Sequence, residues 1–484
     1  MKKFLLFLIL PFLSTAQTQI GTEINGLFAE DNFGSSIALS DNGHILAVGA
    51  NLNDGNGTDS GQVRVFENIS GNWSLIGDPI NGSAAGDHAG LSLALSSDGN
   101  ILAVGSPRHY GFSGEVRIYQ NASGTWTQLG NTISGESFGD NSGWSISLSG
   151  DGNVVAIGSI GRYTNGFETG GAKVYRNISG TWTQEGNTIE GLINTKSLGR
   201  VVCLSDNGQI IAISEPYTTI NGAFSGRVHV YENIDGTWTQ IGADIDGTFA
   251  NGIFGYSLDL SADGSILAIG APGNAANNNN DGLVKVYKNT AGTWTLFGNV
   301  INGPTPNSST GQSVGLSADG KTLAIGSTNF QSNFTNPGRV QIFAYQSGVW
   351  MQKGNNIEGS PGELLGRPLA ISADGNVLAT GAIFNSDNGT NAGQARVFDI
   401  SQLLATDTFT FENISVFPNP ATDYIAISTD IAFALEKLSL YDTLGQCVRT
   451  SKESTIMVSG LSQGIYFLQI VTDKGKTTKK IMVK

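Results

Sequence analysis

Short hydrophobic runs alternate along the chain with stretches rich in glycine, asparagine and aspartate, and the alternation itself repeats with a long period. In the first copy, residues 33–40 (FGSSIALS) read as a strand, Asp41, Asn42 and Gly43 as a tight turn, and residues 44–50 (HILAVGA) as a second strand. Asn-Gly and Asp-Gly pairs suit such a turn because both residue types tolerate positive φ. After a loop to Ser60, residues 61–68 (GQVRVFEN) alternate apolar with polar, 69–72 turn, and 73–80 (WSLIGDPI) supply a fourth strand. Ile45, Leu46, Ala47 and Val48 leave the second strand apolar on both faces, as expected where both are covered.

The glycine that opens this unit returns at Gly90, Gly143, Gly199, Gly255, Gly311 and Gly366, in steps of 56, 53, 56, 56, 56 and 55 residues from Gly34. A unit of that size cannot bury its own apolar faces and must stack on copies of itself, as a toroid or a solenoid. The last copy has only three strands, at 367–372, 377–382 and 394–399. The missing fourth lies at the other end of the chain, where residues 18–26 (TQIGTEING) match 239–247 (TQIGADIDG). The expected fold is therefore all-β, a seven-bladed β-propeller over residues 17–400 closed by an N-terminal strand, which leaves no exposed sheet edges in the ring. A straight β-solenoid is the alternative.

Composition agrees with many short strands: 66 glycines among 484 residues, with 14% charged residues. A net charge of −14 disfavours nucleic acid, which needs clustered Lys and Arg. Lys2 and Lys3, an apolar stretch from Phe4 to Phe12, and the small residues Ser14 and Ala16 read as a signal peptide over residues 1–16. No later stretch is apolar for the roughly 20 residues a membrane helix needs, so no transmembrane segment is expected in the mature chain. Cys203 and Cys447 fall in different predicted domains and are expected to be buried, unpaired thiols.

Phe254-Gly255-Tyr256-Ser257, followed by Leu267-Ala268-Ile269-Gly270-Ala271-Pro272, resembles the FG-GAP repeat of integrin-α-like propellers, and the resemblance covers roughly residues 17–400. It implies a seven-bladed propeller that binds proteins or glycans. The calcium loops of that family are not matched, because turns such as Ser261-Ala262-Asp263-Gly264 have too few oxygens for the six to eight that calcium requires.

Residues 401–412 read as a linker, and 413–484 change grammar. Val416-Phe417-Pro418-Asn419-Pro420, Leu438-Ser439-Leu440-Tyr441-Asp442 with Gly445, Gly464-Ile465-Tyr466 and the terminal Lys479-Lys480 run resemble the type A C-terminal sorting domain of the type IX secretion system of Bacteroidetes. A small Ig-like β-sandwich is expected there. The resemblance implies passage through the periplasm and contact with the type IX secretion machinery, and a secreted or outer-surface location.

The loops between second and third strands are long and varied, and with the blade-to-blade loops they share one face of a propeller, the face that can recognise something. Arg108, His109 and Tyr110 form its densest polar-aromatic cluster, extended by Arg162, Tyr163 and Tyr217, and Trp144 stands where Ser35, Leu91 or Tyr256 stand in other copies, at a channel mouth. These are the candidate ligand contacts. The tryptophans at 73, 126, 182, 238, 294 and 350 open the fourth strand of six copies and are expected to pack between blades. Asn277 to Asn280 ahead of Asp281 could offer oxygens to a cation, though a plain Asn-rich loop is the expectation. With four histidines, no catalytic set, metal site or cofactor is expected. The leading reading is a noncatalytic, adhesin-like propeller that recognises an extracellular protein or polysaccharide. The alternatives are a secreted carbohydrate-active enzyme, a glycoside hydrolase or lyase with two carboxylates at the channel mouth, and a purely structural coat component.

Overall fold

The computed structural model of the protein describes residues 17–164, 166–191, 197–273, 281–328, 336–402, 415–428, 435–443, 446–472 and 475–484. They form two compact units, the repeats and the C-terminal segment. The signal peptide, most of the 401–412 linker, the Asn277 to Asn280 run and Gly445 lie outside the described residues.

Each repeat is an antiparallel meander. Blade 3 runs Ser142–Leu148, Val154–Ser159, Gly171–Ile178 and Thr181–Gln184, and the other copies follow the same order. The second strands are the most enclosed, with Leu46, Ala47 and Val48 fully buried in blade 1. Seven hydrophobic clusters fill the seven spaces between neighbouring blades; one joins Ala103, Val116 and Ile118 of blade 2 to Ile146, Val155 and Ile157 of blade 3.

The ring is closed by the N-terminus. Thr18 and Gln19 pair with Asp399 and Phe398, and Ile24 and Asn25 pair with Ala395 and Gln394, completing the three-stranded last blade. Arg64 of blade 1 locks this seam, donating from Nη2 to the Asn25 carbonyl at 2.8 Å with its guanidinium 4.0 Å from the centre of the Phe33 ring. Burial there pushes its pKa down to about 10.

The tight-turn face carries a second closure, made of backbone alone. The amides of Asp41, Ser97, Gly150, Asp206, Ala262, Ala318 and Ala373 each donate to the corresponding carbonyl of the next blade, and Ala373 returns to Asp41, all at 2.8 to 3.0 Å. A superhelix could not close this circle. Within each turn, the serine hydroxyl donates to the Asx two residues on (Ser96 to Asp98, Ser261 to Asp263, and five equivalents) at 2.6 to 2.8 Å.

The repeated glycine has a stereochemical reason. All seven copies adopt φ between +80° and +91°, where a Cβ is strained. In five blades the serine two residues beyond it donates to the glycine carbonyl of the following blade, as Ser36 does to Gly90 and Ser145 to Gly199.

The fourth strand departs from expectation. Residues 73–80 do not run as one strand but as Asn72–Leu75 and Ile80–Asn81, both paired with Gln62–Ile69; only blade 6 keeps a continuous fourth strand, Val349–Glu358. The break sits at a positive-φ glycine, Gly77 in blade 1 and Gly21 in the closing strand. It turns a backbone carbonyl toward the following blade, whose tryptophan caps it: Trp73 Nε1 donates to Ile20, Trp182 to Leu129 and Trp350 to Phe297, with the other three alike. The six regular tryptophans therefore pack between blades, as expected.

In the C-terminal unit, Ser415–Phe417, Tyr424–Ser428 and Thr455–Met457 form one sheet, and Cys447–Ser451, Leu435–Tyr441, Gly464–Thr472 and Gly475–Val483 form the other. Ile425, Leu438, Leu440, Ile456, Leu468, Ile470 and Ile481 fill the space between them as a β-sandwich core. Contrary to expectation, Cys447 is exposed here, since it begins an edge strand, and Cys203 of the propeller is only partly buried.

Candidate functional site

Because each repeated glycine sits at the start of an inner strand, the next residue is presented to the propeller axis. Those seven residues are Ser35, Leu91, Trp144, Arg200, Tyr256, Gln312 and Arg367, and all seven line one cavity of about 530 Å³. That is within the roughly 300–1,000 Å³ typical of ligand sites. Asn51 and Ile383, the first residues after two second strands, also line it, which puts its opening on the variable-loop face.

The ring is lopsided. Blades 3 to 7 contribute large side chains, whereas blades 1 and 2 contribute Ser35 and Leu91. Arg200 lies between two aromatic rings, its guanidinium carbon 5.4 Å from the Trp144 ring centre and 5.1 Å from that of Tyr256. Such cation–π contacts hold a guanidinium in place without neutralising it. Gln312 Nε2 donates to the Tyr256 hydroxyl at 3.1 Å, fixing that ring in turn. Arg367 is exposed. Among the described residues, Arg200 and Arg367 are the only formally charged ones in the lining, and neither forms an ion pair.

Of the residues singled out from sequence, Trp144 alone lines the cavity. Arg108, His109 and Tyr110 enter a tight turn in the long loop of blade 2, in which Tyr110, Gly111 and Phe112 take positive φ. Arg108 Nη1 lies 3.3 Å from His88 Nε2. Burial and the neighbouring Arg108 charge lower the His88 pKa, leaving a neutral ring to accept that bond. His109 is held between carboxylates, with Nδ1 3.0 Å from Asp87 and Nε2 3.6 Å from Glu115. Tyr110 is 83% exposed and adds nothing to the cavity lining.

Asp87, His109 and Glu115 have donor types that can hold a metal, and their ligand atoms lie within 4.8 Å of one another. Arg117 Nε is 3.1 Å from Glu115, however, and Ser83 Oγ donates to Asp87 at 2.7 Å, so both carboxylates are already engaged by neighbouring side chains. Arg162 is likewise consumed structurally. It donates to Glu136 at 2.8 Å and lies 3.4 Å from Glu190, while Lys173 also bonds Glu136. The hydrogen bonds from Lys173 and then Arg162 hold the Glu136 pKa below the usual range. Tyr163 stands exposed on a two-stranded hairpin with Phe167–Glu168, and Tyr217 packs edge-on against Phe224 at 6.1 Å.

Arg200, Gln312 and Arg367 were not singled out from sequence. The signal was present: they hold the same repeat position as Trp144, one residue beyond the glycine.

Further down the axis, Asp259 of blade 5 accepts from the Leu316 amide at 2.6 Å, the Leu260 amide at 3.0 Å and Cys203 Sγ at 3.4 Å. Burial outweighs these bonds and pushes its pKa up to about 6.

In the C-terminal unit the expected motif residues hold the fold. Asn419, between Pro418 and Pro420, donates to the Lys480 carbonyl at 3.0 Å and accepts from the Met482 amide at 2.9 Å, clamping the last strand. Gly464 opens the central strand, and Tyr466 is buried with its hydroxyl donating to Ser462 at 2.9 Å. Lys479 and Lys480 lie on the edge strand Gly475–Val483, with Lys480 exposed.

Comparison with known proteins bears on both units. The FG-GAP repeat model matches residues 28–66, and the model of the secretion system C-terminal sorting domain matches residues 415–484. No curated protein matches the chain. Among solved structures, the chain is similar to Kuenenia stuttgartiensis hydrazine synthase, at 13% identity and a TM-score of 0.47 over 75% of this chain and 94% of that one. It is also similar to Sqt1 from Chaetomium thermophilum, at 17% identity and a TM-score of 0.46 over 75% of this chain and 83% of that one. Likeness at that level carries no inference about activity. The chain carries an FG-GAP repeat at the start of a seven-bladed propeller and ends in a type IX sorting domain, which sends it to the cell surface or the extracellular space.

Proposed function

We propose that the propeller is a noncatalytic, adhesin-like binding module that recognises an extracellular protein or polysaccharide through its variable-loop face, with the axial cavity as the point of contact. The observation that supports this most is the lining itself. The repeat position one residue beyond the glycine, which holds Trp144, Arg200, Tyr256, Gln312 and Arg367 in blades 3 to 7, faces the open cavity. Aromatic and arginine side chains are the residue types that dominate binding energy at recognition sites.

The rival reading, a glycoside hydrolase, needs two carboxyl groups about 5 to 10 Å apart at the reacting bond. Among the described residues, the cavity lining contains no Asp or Glu. A panel of polysaccharides and extracellular proteins, offered to the secreted chain and assayed for both retention and bond cleavage, separates the readings. Binding without cleavage is expected. Release of new reducing ends or unsaturated sugars would overturn the noncatalytic reading, and an absence of both would favour the structural coat component.

A further inference from the structure

We infer that the axial cavity takes an acidic polysaccharide, one whose sugar rings bear carboxylate or sulfate groups; this rests on the binding reading above and specifies its ligand. The first reason is charge. In a chain of net charge −14, the described residues that line the cavity include two guanidinium groups and no acid. Electrostatics across the molecule as a whole would repel an anion, so two unneutralised positive charges at one site need a local purpose. A guanidinium recognises carboxylate and sulfate oxygens through paired N–H donors.

The second reason is the arrangement of those charges. Arg200 and Arg367 belong to blades 4 and 7, three steps apart around the ring, so they sit on different sides of the axis. That spacing suits a ligand with repeated acidic groups better than a single small anion. Trp144 and Tyr256 between and beside them add the flat apolar faces on which sugar rings stack.

The third reason separates a saccharide from an acidic peptide. Ser36, Ser92, Ser145, Ser257 and Ser313 all line the cavity, and each hydroxyl hydrogen is already donated to a glycine carbonyl in the following blade. What these oxygens still offer is lone pairs. A ring of acceptors complements a ligand rich in hydroxyl donors, which a polysaccharide is and a polyglutamate is not.

The test is titration calorimetry of the full chain with four polymers: polygalacturonate, dextran sulfate, dextran and poly-L-glutamate. The expected result is binding of one or both acidic polysaccharides, which identifies the anion, with dextran and poly-L-glutamate at least tenfold weaker. Arg200→Gln and Arg367→Gln should each weaken it by about tenfold or more, as loss of a charged hydrogen bond does. Added salt should weaken it too. If a Gln variant fails to fold by thermal unfolding, Arg200→Lys keeps the charge but loses the paired donors and should show the same direction of change. Equal binding of dextran, unaffected by the arginine variants but lost in Trp144→Ala, overturns the acidic ligand and leaves the binding module standing. Preference for poly-L-glutamate overturns the saccharide alone. No binding to any of the four overturns the acidic polysaccharide and leaves the binding module to the broader panel above, whereas binding indifferent to all cavity variants places recognition away from the cavity and overturns both.

Discussion

The two ends of the inner strands are built from the same repeat and treat it in opposite ways. At the tight-turn end, seven copies make the same backbone bond to the next blade and the same serine-to-Asx bond within the turn. At the cavity end, the glycines repeat but the residues beside them do not, running from Ser35 to Trp144 to Arg367. Uniform chemistry is what a closed ring demands, since each blade must present the same edge to the next. Divergence at a position aimed into open space has no such structural demand behind it, and that is where recognition can be written.

The largest effect that sharpens this contrast should come from the seam. Deleting residues 17–25 removes the strand that pairs with Gln394–Asp399 and exposes that edge, at a cost on the order of 5 kcal/mol from lost ladder bonds and the burial of Ile24. Size-exclusion chromatography should then show aggregates in place of the wild-type peak; an unaggregated variant of unchanged melting temperature would contradict ring closure by this strand.

Next comes a comparison of tryptophans. Trp182, 4% exposed and bonded to Leu129 in the neighbouring blade, should cost about 3–5 kcal/mol when replaced by Ala. Trp144→Ala should leave the denaturant midpoint within experimental error of wild type while weakening ligand binding. Equal destabilisation by the two would erase the distinction between packing and recognition tryptophans.

Asp259 lies between the two ends, and its sign differs from that of the turn aspartates. A carboxyl whose folded pKa is raised keeps its proton while the unfolded chain loses it, so stability falls as pH rises from the usual 3.8 toward about 6. The loss is on the order of 2–3 kcal/mol. Asp259→Asn, which keeps an acceptor for the Leu316 amide, should flatten the melting-temperature profile across that window; an unaltered profile would show that Asp259 ionises freely in the fold.

The smallest effect is expected at the turns. Burial by itself would raise Asp263, but the bonds from Ser261 and Ser265 together outweigh it and hold its pKa below the usual value. Its contribution is therefore present at neutral pH and lost as pH falls below about 4. Asp263→Asn should change neutral stability by less than about 0.5 kcal/mol, because Asn42 and Asn207 already fill this place in two blades. The variant should lose slightly less stability than wild type in acid; a large neutral-pH loss would mean the turns tolerate less variation than the repeat suggests.

Much of the architecture was legible because it rests on spacing and turn chemistry. The match of residues 18–26 to 239–247 located the closing strand, and the regular tryptophans announced their packing role. The broken fourth strand was not legible, since strand propensity alone does not distinguish Gly77 as a left-handed break from glycine within a strand. The candidate site was read less well. Arg108, His109 and Arg162 looked free in sequence, but their partners, His88, Asp87, Glu136 and Glu190, sit about 20 residues or more away and meet them only after folding. Arg200, Gln312 and Arg367 escaped notice because their direction depends on the backbone turn at the preceding glycine. Trp144 was visible only because its size breaks the local pattern.

The claim that recognition occurs at the diverging end is tested most directly by fluorescence titration with polygalacturonate or dextran sulfate, whichever binds in calorimetry. Six of the seven tryptophans donate their indole N–H between blades, and Trp144 is the one that lines the cavity. Wild type should show a saturable change in emission that is absent in Trp144→Phe. A change of the same size in Trp144→Phe would place binding elsewhere and contradict the account.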